Sequence, residues 1–345
     1  MIRRRLLTIG HSYCVDVNRR LAHELARGGG WDVTVVGPSR LRGDFRVHTL
    51  EATSTELIRL QPMSVYASRK AHTLVYGWSL RALLRQPWDL VHCWEEPYVA
   101  SAAQVAAWTP ARVPLVMATF QNIDKRYPPP FRWFERYVFD RADGLVAFGR
   151  TAAEVAAARG FPTTRTRVIP PGVDTTKFAP DPQARARVRA ALGWTVDVPV
   201  VGFVGRFVPE KGLPLLMEVL GRLRQPWRAL FVGRGPLEPA IRRWARSFGD
   251  RVALAPSVGH DGVGDWLNAM DVLCAPSQTT TRWREQFGRM LIEAFAAGVP
   301  VVASDGGEIP HVVGEAGLLV AERDQGAWVR ALGALLDDPK RRAAL

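Results

Sequence analysis

Short runs rich in valine, isoleucine and leucine alternate with helix-forming stretches along almost the whole chain, and that order admits few folds. In the first half the runs are residues 6–10, 31–37, 45–50, 89–94, 114–120 and 144–148; in the second they are 199–205, 227–233, 251–256, 271–277 and 300–304. Helical stretches, for example 18–27 and 237–248, fall between them. Strands buried on both faces read as nearly continuous apolar runs, and a strand-helix-strand order builds parallel pairs. The pattern predicts an α/β chain of parallel sheets with helices on both faces.

With 345 residues the chain exceeds the size at which one core keeps growing, so two domains are expected. Val168-Ile-Pro-Pro-Gly-Val-Asp174 closes the first half, and a proline- and charge-rich stretch with a short helix at 183–192 runs on to Pro199. The expected organisation is two doubly wound, Rossmann-like domains, residues 1–172 and 199–345, joined by a linker at 173–198 and facing across a cleft. Clefts at domain junctions are favoured ligand sites. Residues 337–345 begin a terminal helix that reads as incomplete.

A net charge of +13 calls for a negatively charged partner: nucleic acid, anionic lipid or a phosphorylated substrate. No helix-turn-helix, zinc-finger or ribonucleoprotein signature is present, so no nucleic-acid partner is expected. Cys14, Cys93 and Cys274 stand singly in or beside apolar runs, as buried thiols of a reducing compartment do. The apolar run after Met1-Ile-Arg-Arg-Arg5 is too short for a signal peptide, and no run approaches the ~20 residues that span a bilayer. A cytoplasmic protein is expected. Arg69, Lys70, Arg81 and Arg85 lie among Tyr66, Leu74, Val75, Tyr76, Trp78 and Leu80. Trp133 and Phe134 lie near Lys125, Arg126, Arg132 and Arg136. Such mixtures suit peripheral contact with an anionic membrane or a lipid-linked acceptor at the membrane's inner face. An ordinary helix with a solvated cationic side gives the same composition.

The chemistry concentrates in the second half. Between two strand-like runs lies Glu285-Gln-Phe-Gly-Arg-Met-Leu-Ile-Glu293, in which Phe287, Met290, Leu291, Ala294 and Phe295 recur with helical spacing and Gly298 follows as a stop. Loops before such helices line the ligand crevice of open parallel sheets, and free N–H groups at a helix start attract phosphate. Gly288 permits close approach to backbone. Glu293 is also spaced for an ordinary ion pair with Arg289. Upstream, Gly205-Arg206 leaves a strand end and Lys211-Gly212 opens the next helix; an arginine fork and a lysine point charge on one loop suit a diphosphate. Neither a Walker A loop nor a G-x-G-x-x-G follows a strand, which disfavours P-loop enzymes and dinucleotide-dependent dehydrogenases.

Three elements together, Gly205-Arg206-x4-Lys211-Gly212, Glu285-x7-Glu293 with Phe287-Gly288, and Ile169-Pro-Pro-Gly-Val-Asp174-x2-Lys177-Phe178, resemble the family-4 retaining glycosyltransferases of the GT-B fold. The resemblance covers essentially the whole chain. It implies an enzyme that moves a hexose from a nucleotide-diphosphate-sugar to a hydroxyl acceptor (glycan, lipid-linked or small molecule). Arg206 and Lys211 would hold the diphosphate and neutralise charge as the glycosidic bond breaks. Glu285 and the backbone at Phe287 and Gly288 would hold the sugar, Glu293 the ribose, and the loop with Val258 and His260 the base. Gly205 and Arg289 border the same site. In the first domain Gly10 and His11 would line the crevice, and Gln121 stands where many members carry a histidine. Glutamine exchanges hydrogen bonds but takes up no proton at neutral pH. No D-x-D pair occurs, and cationic side chains stand in for a metal, so no metal or other cofactor is expected. A nucleotide-sugar epimerase of the same fold and a non-catalytic sugar-nucleotide-binding relative are the alternatives.

Overall fold

The computed structural model of the protein describes residues 3–42, 47–51, 57–194, 198–255 and 262–345. The chain forms two compact units, Met1–Ile169 and Pro170–Leu345.

The strands of the first unit are β1 (Arg4–Ile9), β2 (Trp31–Pro38), β3 (Arg40–Arg42), β4 (Val47–Thr49), β5 (Arg59–Met63), β6 (Val65–Tyr66), β7 (Val75–Tyr76), β8 (Leu90–Cys93), β9 (Leu115–Thr119), β10 (Gly144–Ala147) and β11 (Thr166–Val168). Its helices are α1 (Arg20–Arg27), α2 (Ser79–Leu84), α3 (Ala100–Trp108), α4 (Phe131–Arg141) and α5 (Arg150–Ala158). Among the described residues seven strands make one parallel sheet in the order β11-β10-β9-β8-β1-β2-β5. Leu7, Ile9, Val91, Leu115 and Met117 are buried in it, with Leu80, Ala102, Val105 and Val138 from the covering helices. The chain winds from β1 out to β5, then returns to the other side of β1 and runs from β8 to β11. The reversal lies between β1 and β8.

Two features of this unit differ from the sequence reading. Of the expected strand at 45–50, residues 45 and 46 lie outside the described residues, and Val47–Thr49 form β4, which pairs antiparallel with β3 and stays outside the main sheet. Its sheet place, beside β2, goes to β5, whose Leu60 and Met63 are buried while its Arg59 and Gln61 are exposed. The basic stretch 59–85 is also not one amphipathic surface. Leu74, Tyr76 and Leu80 are core, and only Ser79–Leu84 is α-helical, so the cations border a packed layer from which Tyr66 and Trp78 protrude.

The second unit comprises α6 (Pro182–Ala191), β12 (Val200–Val204), α7 (Leu213–Arg222), β13 (Arg228–Val232), α8 (Glu238–Ala245), β14 (Val252–Ala255), α9 (Val263–Asn268), β15 (Val272–Ala275), α10 (Arg289–Ala296), β16 (Val301–Ser304), α11 (Ile309–Val313), β17 (Gly317–Val320), α12 (Gln325–Asp337) and α13 (Pro339–Ala344). Its described strands form a parallel sheet in the order β14-β13-β12-β15-β16-β17, reversing between β12 and β15. The helix in the stretch read as linker, α6, packs into this unit: Ala184 and Val188 are buried, and Arg185 and Arg189 both bind the Asp271 carboxylate at the foot of β15, at 2.6 and 2.5 Å. Asp181 caps it through the amides of Gln183 and Ala184. Among the described residues no helix is long and apolar enough to cross a membrane. Cys14, Cys93 and Cys274 are buried free thiols.

Candidate active site

In doubly wound sheets the ligand crevice opens at the carboxyl ends of the two strands that flank the reversal. In the second unit those strands are β12 and β15, and the loops that leave them carry the residues singled out in the sequence. After β12 the chain passes Gly205 and Arg206, makes a 3-10 turn at Pro209–Lys211, and enters α7 through Gly212. Gly212 is left-handed (φ 72°), and a Cβ there would stand 1.7 Å from the Pro276 carbonyl oxygen. Only glycine meets both demands. The two loops are therefore pressed together, and the Gln278 amide donates to the Glu210 carbonyl at 2.8 Å.

Across this seam Lys211 Nζ lies 2.5 Å from Glu285 Oε2, and Ser277 Oγ donates to the same oxygen at 2.9 Å. The Trp283 ring centroid is 5.3 Å from Lys211 Nζ. Glu285 is fixed from behind as well, because its carbonyl accepts from the Glu308 amide at 3.0 Å. Arg206 is exposed at the rim. Gly288, with φ 82°, turns the chain into α10, where Met290, Leu291 and Ala294 face the core and Gly298 (φ 68°) follows the end. Phe287 and Glu293 are buried, and Arg289 is half-buried. The structure thus gathers Gly205, Arg206, Lys211, Glu285, Phe287, Gly288, Arg289 and Glu293 onto two neighbouring loops and the helix that follows. Val258 and His260 lie outside the described residues.

The first unit repeats the arrangement at its own reversal. Gly10 follows β1 and abuts Trp94, which follows β8; a Cβ on Gly10 would lie 3.0 Å from the Trp94 Cβ and carbonyl. Next to them, His11 donates from its backbone amide to Glu95 Oε1 at 2.7 Å, and its Nδ1 lies 2.5 Å from Oε2. Tyr76 Oη donates to Glu95 Oε1 at 3.0 Å. Glu96 turns the opposite way, to the loop after β9, where it accepts from Thr119 Oγ1 at 2.6 Å and from the Phe120 amide at 2.8 Å. Two adjacent carboxylates thus organise the loops on either side of β8. Glu95 raises the pKa of His11 above its ordinary value, against burial. Burial raises Glu96 and pushes His92, inside the sheet, down to about 4. Gln121, in the loop after β9, donates from Nε2 to the Tyr127 hydroxyl. Tyr127 is stacked on Tyr98 (ring centroids 4.1 Å apart) and lies under the Arg159 guanidinium.

Glu95, Glu96, Tyr127, Ser277 and Trp283 were not among the residues inferred from sequence, and Tyr76 was read there only as part of a basic, aromatic surface, whereas it is buried. The readable signal was Trp94-Glu95-Glu96-Pro97, two carboxylates directly at the end of an apolar strand.

Residues 16–177 match the model described as Glycosyltransferase Family 4, and residues 198–338 match that described as Glycosyl transferases group 1. The lipopolysaccharide core biosynthesis mannosyltransferase LpsB of Rhizobium meliloti is 30% identical over 339 residues, covering 91% of this chain and 90% of that protein. A D-inositol 3-phosphate glycosyltransferase of Xylanimonas cellulosilytica is 37% identical over 224 residues, 61% of this chain; the match spans about half (52%) of that relative's length. Among solved structures, a glycosyltransferase from Rickettsia africae superposes with a TM-score of 0.77 at 15% identity, covering 99% of this chain and 92% of that one. The two Rossmann-like units are those of the GT-B fold. With both halves matched and one relative similar along nearly its full length, the chain belongs to glycosyltransferase family 4.

Proposed function

We propose that the protein transfers a hexosyl group from a nucleoside-diphosphate sugar to a hydroxyl of an acceptor, with retention of anomeric configuration and without a divalent cation. The observation that carries this reading is the Lys211–Glu285 pair across the reversal of the second sheet, with Arg206 on the same loop as Lys211. The ammonium, the guanidinium and the amides at the start of α10 would receive the diphosphate. As the bond from anomeric carbon to phosphate oxygen breaks, its electron pair moves onto the diphosphate, where the two cations neutralise it. The acceptor oxygen forms the new bond on the same face, and its proton passes to the leaving phosphate. Glu285 would accept hydrogen bonds from the sugar hydroxyls and Glu293 from the ribose, and Gln121 is proposed as a further hydrogen-bonding group for the transferred sugar.

The relatives named above are transferases, which leaves the epimerase reading without support. Incubation with uridine, guanosine and adenosine diphosphate-hexoses in excess chelator tests the proposal. Release of nucleoside diphosphate with one of them is expected; no release with any, or release only after Mg²⁺ or Mn²⁺ is restored, would contradict it.

The acceptor side of the proposal includes contact with an anionic membrane at its inner face. Trp78 is 72% exposed, stacks on Trp108 at 5.4 Å and neighbours Arg81 and Arg85. These two arginines line a groove of about 710 Å³ with Tyr137 and Arg141. Aromatic rings beside cations fit a phospholipid headgroup layer. Salt-sensitive sedimentation with anionic but not neutral vesicles is expected; equal, negligible binding to both would favour a soluble acceptor.

A further inference from the structure

Both sheets carry a clasp at the same topological position. In the second unit Lys211, after the first strand, meets Glu285, after the strand on the far side of the reversal. In the first unit His11, after β1, meets Glu95, after β8. If the second crevice holds the donor, the first is where an acceptor would be held, so this inference rests on the transferase reading. The two clasps differ in chemistry. A lysine paired with a carboxylate offers a fixed positive charge, whereas a histidine paired with a carboxylate offers a nitrogen whose role depends on protonation.

The geometry settles that role. The Glu95 carboxylate accepts the His11 amide, the His11 ring and the Tyr76 hydroxyl, and its side chain is 1% exposed. Because the carboxylate is an acceptor, Nδ1 keeps the hydrogen in the neutral ring and the lone pair stands on Nε2. The His11 side chain is 32% exposed, unlike its partner, so a ligand has access to it. In the neighbouring loop Gln121 takes up no proton at neutral pH. We infer that His11 Nε2 is the hydrogen-bond acceptor that holds a hydroxyl of the acceptor other than the one that reacts, and that Glu95 is the residue that positions it. The reacting hydroxyl keeps its proton for the leaving phosphate, and the acceptor is oriented through the hydroxyl that donates to the ring.

Only the neutral ring can accept, so the sign of the pH dependence follows. Glu95 first, with Glu96 adding to it, stabilises the imidazolium, while burial opposes both. Tyr76 from β7 donates to the same Glu95 carboxylate; Cys14, in the same turn, donates its thiol to the His11 backbone carbonyl, and Arg19 binds the Tyr13 carbonyl. The accepting form therefore prevails only above a raised pKa, and turnover should climb as pH rises through it.

The test measures kcat/KM from about pH 5 to about pH 9 for the wild type, His11→Gln and Glu95→Gln, with whichever sugar nucleotide supports turnover, beside a nitrogen-15 titration of the His11 ring. The wild type should show an acid limb at the ring's own midpoint. Glu95→Gln should move limb and midpoint together to lower pH. His11→Gln should lose the limb and about tenfold or more of the rate on the plateau, the worth of one hydrogen bond that orients the acceptor. Should Glu95→Gln fail to fold, Tyr76→Phe serves instead, because removing a donor from Glu95 strengthens its pull on His11 and moves the limb upward. A limb that ignores these variants, or a neutral ring with its hydrogen on Nε2, overturns the inference while leaving the transferase reading standing. No turnover with any sugar nucleotide would remove that reading, and the inference with it.

Discussion

Lys211 and Glu285 hold each other across the reversal of the second sheet, Nζ to Oε2 at 2.5 Å, with side chains only 13% and 9% exposed. Solvent screens such a pair weakly, and removing one partner leaves the other charged in a poorly hydrated place. Lys211→Ala is therefore expected to destabilise the protein by about 3 kcal/mol in urea unfolding. Lys211→Met combined with Glu285→Gln should cost clearly less than the sum of the two single changes. Additive costs would mean that the pair contributes no coupling.

Glu293 is buried in α10, one helix beyond the clasp. If it receives the ribose hydroxyls, the contact exists before and during the reaction alike. Glu293→Gln should then raise KM for the sugar nucleotide by about tenfold while kcat changes little. A drop in kcat with KM unchanged would place Glu293 elsewhere in the mechanism.

Gln121 is held by the Tyr127 hydroxyl, and Tyr127 by Tyr98 and Arg159. Arg159 is itself anchored to Glu135, with Nε 2.8 Å from Oε1. Tyr127→Phe keeps the stacking and removes only the hydrogen bond, so it should lower kcat several-fold at a stability cost of about 1 kcal/mol. Gln121→Ala should lower kcat further. Unchanged kcat in both variants, in steady-state assays, would take Gln121 out of the reaction.

The sequence disclosed most of this architecture because parallel strands covered on both faces must be continuously apolar, and the runs at 6–10, 89–94, 199–205 and 271–277 mark the strands that flank both reversals. Arg206, Lys211 and Glu285 were legible because motif spacing put them in the segments that follow those strand ends, and Glu293 because helical spacing put it in the helix after them. The partners were less so. Lys211 and Glu285 are 74 positions apart, and His11 and Glu95 are 84. Only strand order, which periodicity does not encode, brings them together. The β5 strand was missed for another reason. With Arg59, Gln61 and Pro62 on an edge, it reads as a polar stretch although Leu60 and Met63 are buried.

Asp271 ties α6 to the sheet. Burial alone would raise its pKa, but the Arg189 and Arg185 guanidiniums and the Val200 amide hold it below the ordinary aspartate value. A depressed carboxyl contributes stability above its unfolded pKa and loses it as pH falls through the folded one. Asp271→Asn should cost about 3 kcal/mol at neutral pH. The gap between the two proteins should hold down to about pH 4 and close below it. A gap that persists unchanged in acid would show that the carboxylate's charge is not what stabilises the contact.

The most direct test of the central claim is calorimetric titration of the wild type and Arg206→Ala with uridine, guanosine and adenosine diphosphates in excess chelator. Arg206 lies exposed at the rim of the crevice, so its truncation should leave the fold intact. One nucleoside diphosphate is expected to bind the wild type without metal and to bind Arg206→Ala at least about tenfold more weakly, the loss of one charge-assisted contact. Absence of binding until a divalent ion is added, or equal affinity in the two proteins, would contradict the account.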